Sequence, residues 1–232
     1  MPTPLYLLFD IDGTLIDAAG AGRMSLDLAL QREFGKERSE KILLQGRTDL
    51  GIFSEYLERH AIEVTAENLT RFRQAYLELL PDQMRQRPGK VCPGVPQLLA
   101  RLAADDRFRI GLLTGNSQAS AYIKLAHFGI EQWFAFGIYG QNALQRIDLA
   151  KEVVECLNQV ASSGWQQQQV VVIGDTPADI ELGKAVGART VGVATGSHPL
   201  DELHLAAPCV ALNDLGDSYS WLERFLELGI PQ

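Results

Sequence analysis

Leu5-Tyr6-Leu7-Leu8-Phe9 form an unbroken apolar run that stops at an acid, Asp10. A strand with one solvated face alternates polar and apolar residues, whereas an unbroken run suits a strand buried on both faces. The pattern returns at Ile110-Gly111-Leu112-Leu113, Val170-Val171-Val172-Ile173 and Thr190-Val191-Gly192-Val193. It is weaker from Trp133 to Tyr139 and recurs at Cys209-Val210-Ala211-Leu212. Between these runs the apolar period becomes that of a helix. Leu149, Val153, Leu157 and Val160 share one face, as do Tyr122, Leu125 and Ala126, with Gly129 as a C-terminal stop. Buried strands alternating with helices predict an α/β fold, a parallel sheet covered by helices on both faces.

One stretch interrupts that rhythm. From Ile16 to Pro88 the period is helical and no convincing strand is visible. Met24, Leu28 and Phe34 mark one helix. Leu50, Phe53 and Leu57 follow a Thr48 N-cap, and Leu69, Phe72, Tyr76 and Leu80 follow a Thr65 N-cap. Crossovers between adjacent strands are usually far shorter. The expected organisation is therefore a core of residues 1–15 and 89–232 with an all-helical insert at 16–88 over one edge of the sheet. Pro88-Gly89 and Pro93-Gly94 mark the return to the core. Gln166 to Gln169, the one low-complexity run, reads as a solvated loop.

Composition narrows the function. The 232 residues carry 21 Lys and Arg against 29 Asp and Glu, a formal charge of −8 that disfavours phosphate backbones and anionic lipid as partners. No apolar segment approaches the ~20 residues needed to span a bilayer. The start, Met1-Pro2-Thr3-Pro4, lacks the basic region of a signal peptide, so the expected location is the cytoplasm. Cys92, Cys156 and Cys209 lie far apart with no metal-binding spacing and read as reduced thiols. His60, His127, His198 and His204 have no nucleophile setting and read as surface or satisfied residues.

The chemistry lies in the acids at the strand ends. Asp10-Ile11-Asp12-Gly13-Thr14 follows the first strand without a gap, and Gly174-Asp175-Thr176-Pro177-Ala178-Asp179 closes the run at Val170. In open parallel sheets ligands bind outside the carboxyl ends of the strands. Pro177 suits the first turn of a helix, which would carry Asp179 back toward the strand end. Four carboxylates in one place are costly unless a cation neutralises them, and an oxygen-only set without His or Cys suits Mg²⁺. An EF-hand loop starting at Asp10 fails, because Leu15 and Ala21 stand where it needs a glycine and an acid. A P-loop, a dinucleotide fingerprint and a Gly-x-Ser-x-Gly elbow are all missing.

Three segments in order resemble the haloacid dehalogenase superfamily, in its capped phosphatase branch: Asp10-x-Asp12-Gly13-Thr14, Leu112-Leu113-Thr114-Gly115-Asn116, and Gly174-Asp175-x-x-x-Asp179. The likeness spans essentially the whole chain and sits nearest the phosphoglycolate phosphatase and β-phosphoglucomutase groups. It implies a Rossmann-like core with a helical cap inserted after the first motif. It also implies Asp10 as a nucleophile forming an aspartyl-phosphate, and Asp12 as the acid and base serving the leaving group and water. Dehalogenases lack that second acid, so Asp12 points to phosphate chemistry. Mg²⁺ would be held by Asp10, the carbonyl of Asp12, Asp175 and Asp179. The Thr114 hydroxyl and the backbone amides after it, from Gly115 on, would hold the phosphoryl group, with Asn116 behind them or in contact with the substrate. Where the family has a lysine before the helix after the third strand, this chain has Arg146, with Lys151 as the fallback. Arg47, in Gly46-Arg47-Thr48, resembles a substrate-contacting cap arginine, and Arg23 could also reach the cleft.

The expected function is hydrolysis of a small phosphorylated metabolite, phosphoglycolate-like or a sugar phosphate, by a monomer or homodimer. A β-phosphoglucomutase-like mutase shares the same motifs, and the arginine at 146 leaves a non-catalytic Mg²⁺- or anion-binding module as a third reading.

Overall fold

The protein is described by a computed structural model covering residues 4–37, 42–87, 89–161, 164–216 and 219–228. The chain opens with β1 (Leu5–Phe9), a short β2 (Ile16–Asp17), and the helices α1 (Ala21–Phe34), α2 (Asp49–Arg59) and α3 (Ala66–Gln86). It returns through β3 (Lys90–Val91) and α4 (Val95–Ala103) to β4 (Phe108–Thr114) and α5 (Gln118–His127). Next come β5 (Phe136–Tyr139), α6 (Ala150–Val160), β6 (Val170–Gly174) and α7 (Pro177–Ala185). The last elements are β7 (Arg189–Val193), α8 (Leu200–Leu205), β8 (Val210–Leu212) and α9 (Ser220–Leu228). No helix among the described residues is long and apolar enough to cross a membrane.

Six strands form one parallel sheet in the order β5-β4-β1-β6-β7-β8. Alternation along β1 divides the core in two. Leu5, Leu7 and Phe9 face a cluster that includes Leu98 and Leu99 of α4 and Trp221 and Phe225 of α9. Tyr6 and Leu8 face Leu149, Val153 and Leu157 on the α6 side and Leu182 of α7. Burial on both faces is why these strands read as unbroken apolar runs. β1 lies centrally between β4 and β6, so Asp10 emerges at the middle of the sheet's carboxyl edge.

Several local signals hold. Thr48 Oγ1 accepts from Gly51 N at 3.2 Å and Thr65 Oγ1 from Asn68 N at 3.1 Å, capping α2 and α3. Gly129 follows α5 with φ of 65°. Pro177 opens α7, where its missing N–H costs nothing.

Others are corrected. Ile16–Asp17 pairs antiparallel with Lys90–Val91, so a two-stranded ribbon joins the ends of the stretch whose sequence shows no strand. It is too short to show a period. The weak run from Trp133 starts as a 3₁₀ turn and becomes strand only at Phe136. Gln169 is buried and its side chain accepts from Gln166 N, so the glutamine run is only partly solvated. On α1 the buried face is Leu26, Ala29 and Leu30 rather than Met24 and Leu28, and on α6 Val160 is exposed. On α5 Tyr122 and Ala126 are exposed, while Ala121, Lys124 and Leu125 are buried. That face is displaced by one residue because a charged side chain occupies an inward position. Three free thiols remain, with Cys92 buried, Cys156 intermediate and Cys209 exposed.

Candidate active site

Asp10 follows β1, and Asp175 follows β6, its immediate neighbour in the sheet. Strand adjacency therefore places two acids 165 positions apart in sequence beside each other. Asp179 arrives from the first turn of α7. Its Oδ2 accepts from Thr176 N at 3.1 Å and Thr176 Oγ1 at 2.8 Å, a capping box that fixes its rotamer. Asp10, Asp175 and Asp179 are all buried, and an oxygen from each lies within 4.8 Å of the others. Gly13, at φ 87°, turns the chain over this cluster; a Cβ there would stand 2.3 Å from Asp175 Oδ2. Asp175 Oδ1 accepts from Thr14 Oγ1 at 3.1 Å.

Arg146 lies against two of the acids. Its Nη2 donates to Asp10 Oδ1 at 2.9 Å, to Asp179 Oδ1 at 2.5 Å and to the Leu113 carbonyl at 2.8 Å. Lys151 points to solvent, with a side chain 85% exposed and paired to Glu155 at 3.5 Å. Of the two basic residues read from the sequence, only Arg146 reaches the acids.

One guanidinium does not balance three buried carboxylates. Burial pushes the Asp10 carboxyl up to about 6, with Asp179 and Asp12 adding to the rise and Arg146 opposing it. Asp175 is raised well above the carboxylate range by burial, then by Asp10 and Asp179. All-oxygen donors with residual negative charge in a water-poor setting fit a hard divalent cation. The Asp12 carboxylate is not among the clustered oxygens.

The Asp12 side chain turns toward α5 instead. Its Oδ2 accepts from Lys124 Nζ at 2.6 Å and from Asn116 Nδ2 at 2.8 Å. Asn116 also donates to Thr114 Oγ1, through Nδ2 at 2.9 Å and through its backbone N at 3.3 Å. Both bonds are received by the Thr114 oxygen, so neither uses its O–H. Gly115 is required by close approach, since a Cβ there would stand 1.9 Å from the Arg47 carbonyl.

A cavity of about 660 Å³ opens above these groups, lined by Asp10, Asp12, Asn116, Lys124 and Arg146, with Arg23 and Arg47 on the helical side. The two arginines are tied back. Arg47 pairs with Glu55 and donates to the Leu43 and Gly51 carbonyls, while Arg23 donates to the Ile42 carbonyl and lies 3.5 Å from Tyr56 Oη. No histidine lines the cavity among the described residues.

Four participants escape a sequence reading. Lys124 hides in a helix face that looks apolar one residue along. Asp49 looks like an ordinary first-turn acid. Thr195, whose Oγ1 donates to the Gly13 carbonyl at 2.5 Å, and Gly196, where a Cβ would stand 1.7 Å from Asp175 Oδ2, lie in a loop without a charged residue to mark it. For Lys124 one signal exists: Ala121 stands three residues before Lys124 and four before Leu125, so all three fall on one side of the helix, and the other two can be buried.

Comparison with known proteins follows the same lines. The family model for haloacid dehalogenase-like hydrolases matches residues 7–193. The protein named Probable phosphatase IndB from Dickeya dadantii is 25% identical over 223 residues, covering 96% of this chain and 95% of that protein. The phosphoglycolate phosphatase of Salmonella typhimurium is 24% identical over 228 residues, covering 90% of this chain and 88% of its own length. Among solved structures, CbbY from Rhodobacter sphaeroides in complex with phosphate superposes with a TM-score of 0.73 at 14% identity, over 92% of this chain and 96% of that one, which speaks to the fold. With a matching family model over most of its length, a six-stranded parallel sheet and the acids gathered at its carboxyl edge, the chain belongs to the haloacid dehalogenase-like hydrolase family.

Proposed function

We propose that the chain, a phosphatase of this family, hydrolyses a small phosphorylated metabolite through an aspartyl-phosphate on Asp10, with Mg²⁺ as its cofactor. The observation that carries this reading is the convergence of Asp10, Asp175 and Asp179 in one buried cluster, with Arg146 against two of them and Asp12 beside them on the cavity wall.

Each group has a role its position supports. Asp10 attacks phosphorus while the bond to the departing alcohol breaks, and Asp12 supplies that alcohol's proton. Asp12, then a carboxylate, takes a proton from the water that opens the aspartyl-phosphate, and both are ready for another cycle. Thr114 and the backbone beside Gly115 would receive the phosphoryl oxygens, although Thr114 itself is fully buried beneath the cavity lining, and Asn116 braces Thr114. Arg146 orients Asp10 and offsets charge next to it. Asp10, Asp175 and Asp179 would hold Mg²⁺ with the Asp12 carbonyl; when bound, the ion offsets negative charge at the phosphoryl group.

The helices of residues 16–88 act as a cap that keeps bulk water from the reacting group and limits substrate size. Arg47 and Arg23 would meet the substrate from that side, which requires each to exchange a carbonyl or carboxylate partner for it. The protein is expected to work in the cytoplasm, as a monomer or homodimer.

A panel of small phosphate esters, followed by phosphate release with and without Mg²⁺, tests the reading. Turnover should require Mg²⁺ and vanish in Asp10→Asn, with inorganic phosphate rather than an isomerised ester as product. Turnover unchanged by Asp10→Asn refutes the nucleophile; no turnover of any ester by the wild type favours a binding module.

A further inference from the structure

A lysine with only 5% of its surface exposed is unusual, because removing an ammonium from water is costly unless the site supplies partners. Lys124 has two, both at the cavity: Asp12 Oδ2 at 2.6 Å and Asn116 Oδ1 at 2.7 Å. Burial works against its charge, and Asp12, Tyr76 and Asp49 outweigh that effect and raise its pKa. Gly22 of α1 lies overhead, where a Cβ would be 3.9 Å from Nζ and 3.8 Å from Tyr76 Oη, so inserted and core helices together enclose the lysine.

The asymmetry at Asp12 is informative. Both donors, Lys124 Nζ and Asn116 Nδ2, go to Oδ2. Oδ1 has no hydrogen bond to any described residue, and the Asp12 side chain is 43% exposed on the cavity wall. An aspartate so exposed and unrestrained would sample several χ1 wells. Held by two donors on one oxygen, it keeps a single orientation with the other oxygen available.

We propose that Lys124 is a positioning residue for the leaving-group step: with Asn116 it clamps Asp12 Oδ2 so that Oδ1 meets the oxygen of the departing alcohol. This rests on the reading of Asp12 given above. As the phosphorus–oxygen bond breaks, that oxygen takes the electron pair and receives the proton from Asp12 Oδ1, while Lys124 keeps the carboxyl in place.

The inference makes a demand that a purely structural lysine does not. A primary alkyl phosphate needs a proton on its leaving oxygen, whereas the dinitrophenolate of 2,4-dinitrophenyl phosphate departs without one. General acid catalysis contributes on the order of 10²–10⁴-fold. Lys124→Met should therefore lower kcat/KM on glycerol phosphate by about tenfold or more, part of that range, and change kcat/KM on the dinitrophenyl ester by less than about threefold. The ratio kcat/KM reports the steps through departure of the alcohol and leaves out the later attack of water, in which Asp12 serves both esters alike. In an Asp12→Asn background the same substitution should cost nothing further, since it acts through Asp12.

An equal loss on both esters, no loss on either, or an additive double variant overturns the role of Lys124. Should Asp12→Asn itself lower kcat/KM on both esters equally, the assignment of Asp12 as the acid fails, and the inference falls with it. Should Asp12→Asn show the leaving-group dependence and Lys124→Met not, the inference alone fails. Circular dichroism checks each fold. If the methionine variant is unfolded, Lys124→Arg serves instead, because its forked head cannot place one nitrogen between Asp12 and Asn116; an unchanged ratio of the two rates then overturns the proposal.

Discussion

Asp49, the first residue of α2, accepts a 2.7 Å hydrogen bond from the backbone amide of Ser117, the N-cap of core helix α5. A second bond of 2.7 Å comes from Ser120 Oγ, and Asp49 N returns one of 2.7 Å to the Gly115 carbonyl. Thr48 Oγ1 adds a bond of 3.0 Å to the Leu144 carbonyl. The inserted helices are thus joined by polar contacts to the turn that ends β4, next to the residues proposed to hold phosphate. A carboxylate at a helix N-terminus also meets the favourable end of its dipole.

Replacing Asp49 tests the strength of that joint. Asp49→Ala leaves the Ser117 amide without its acceptor in a buried place and the Ser120 hydroxyl with only Ser117, whose carbonyl lies at 3.1 Å, a cost of about 2 kcal/mol. For a chain of this size that corresponds to a fall of roughly 4–8 °C in Tm. Asp49→Asn keeps one acceptor and should lose less. Thermal melting of both variants checks the order; an unchanged Tm in Asp49→Ala would mean the contact contributes nothing.

At position 146 the contacts predict an unusual tolerance. All three hydrogen bonds to the acids and to Leu113 run through Nη2, and Nε is buried without a partner among the described residues. A lysine ammonium offers three donors from one nitrogen and brings no unpartnered N–H. Arg146→Lys should therefore fold and keep turnover within about tenfold of wild type. Arg146→Ala strips two buried carboxylates of their counter-charge, at a cost of about 3–5 kcal/mol. Lys151→Ala should change stability by less than about 0.5 kcal/mol and leave turnover intact. Purified variants compared by melting and phosphate release decide; a Lys151→Ala variant that loses turnover would reverse the assignment.

The acid cluster makes metal binding depend on pH. Asp10 titrates near 3.8 when unperturbed and about 6 in the folded chain. Between those values the native state holds a proton that the unfolded state has released, so metal-free stability falls as pH rises through that window. The raised Asp175 adds a contribution of the same sign. A cation competes with those protons, so the gain in Tm on adding Mg²⁺ should increase from about pH 5 to about pH 7.5. Chelator should remove the gain. A Tm gain equal at both pH values would mean Mg²⁺ does not engage these carboxylates.

Much of the site was legible because its residues stand where local rules put them. Asp10 and Asp175 close unbroken apolar runs, and Thr176 with Asp179 spells a helix start. Arg146 was legible only through the family resemblance, which places a lysine before the helix after the third core strand. Lys124 was not, since the apolar pattern of α5 reads equally well one residue along, and only packing against the inserted helices turns that face inward. Asp49 has an acid's usual place in a first helical turn; its partners Ser117 and Ser120 are known only once the inserted helices are seated on the core.

What the sequence by itself determined is the set of buried strands, their alternation with helices and the acids at their carboxyl ends, because burial on both faces and helix capping act over neighbouring residues. The tertiary structure alone decided that the Asp12 carboxylate turns to Lys124, that Lys151 is left in solvent, and that α2 bonds to the turn after β4. Those outcomes depend on which surfaces are desolvated against each other, and no local interaction along the chain carries that information.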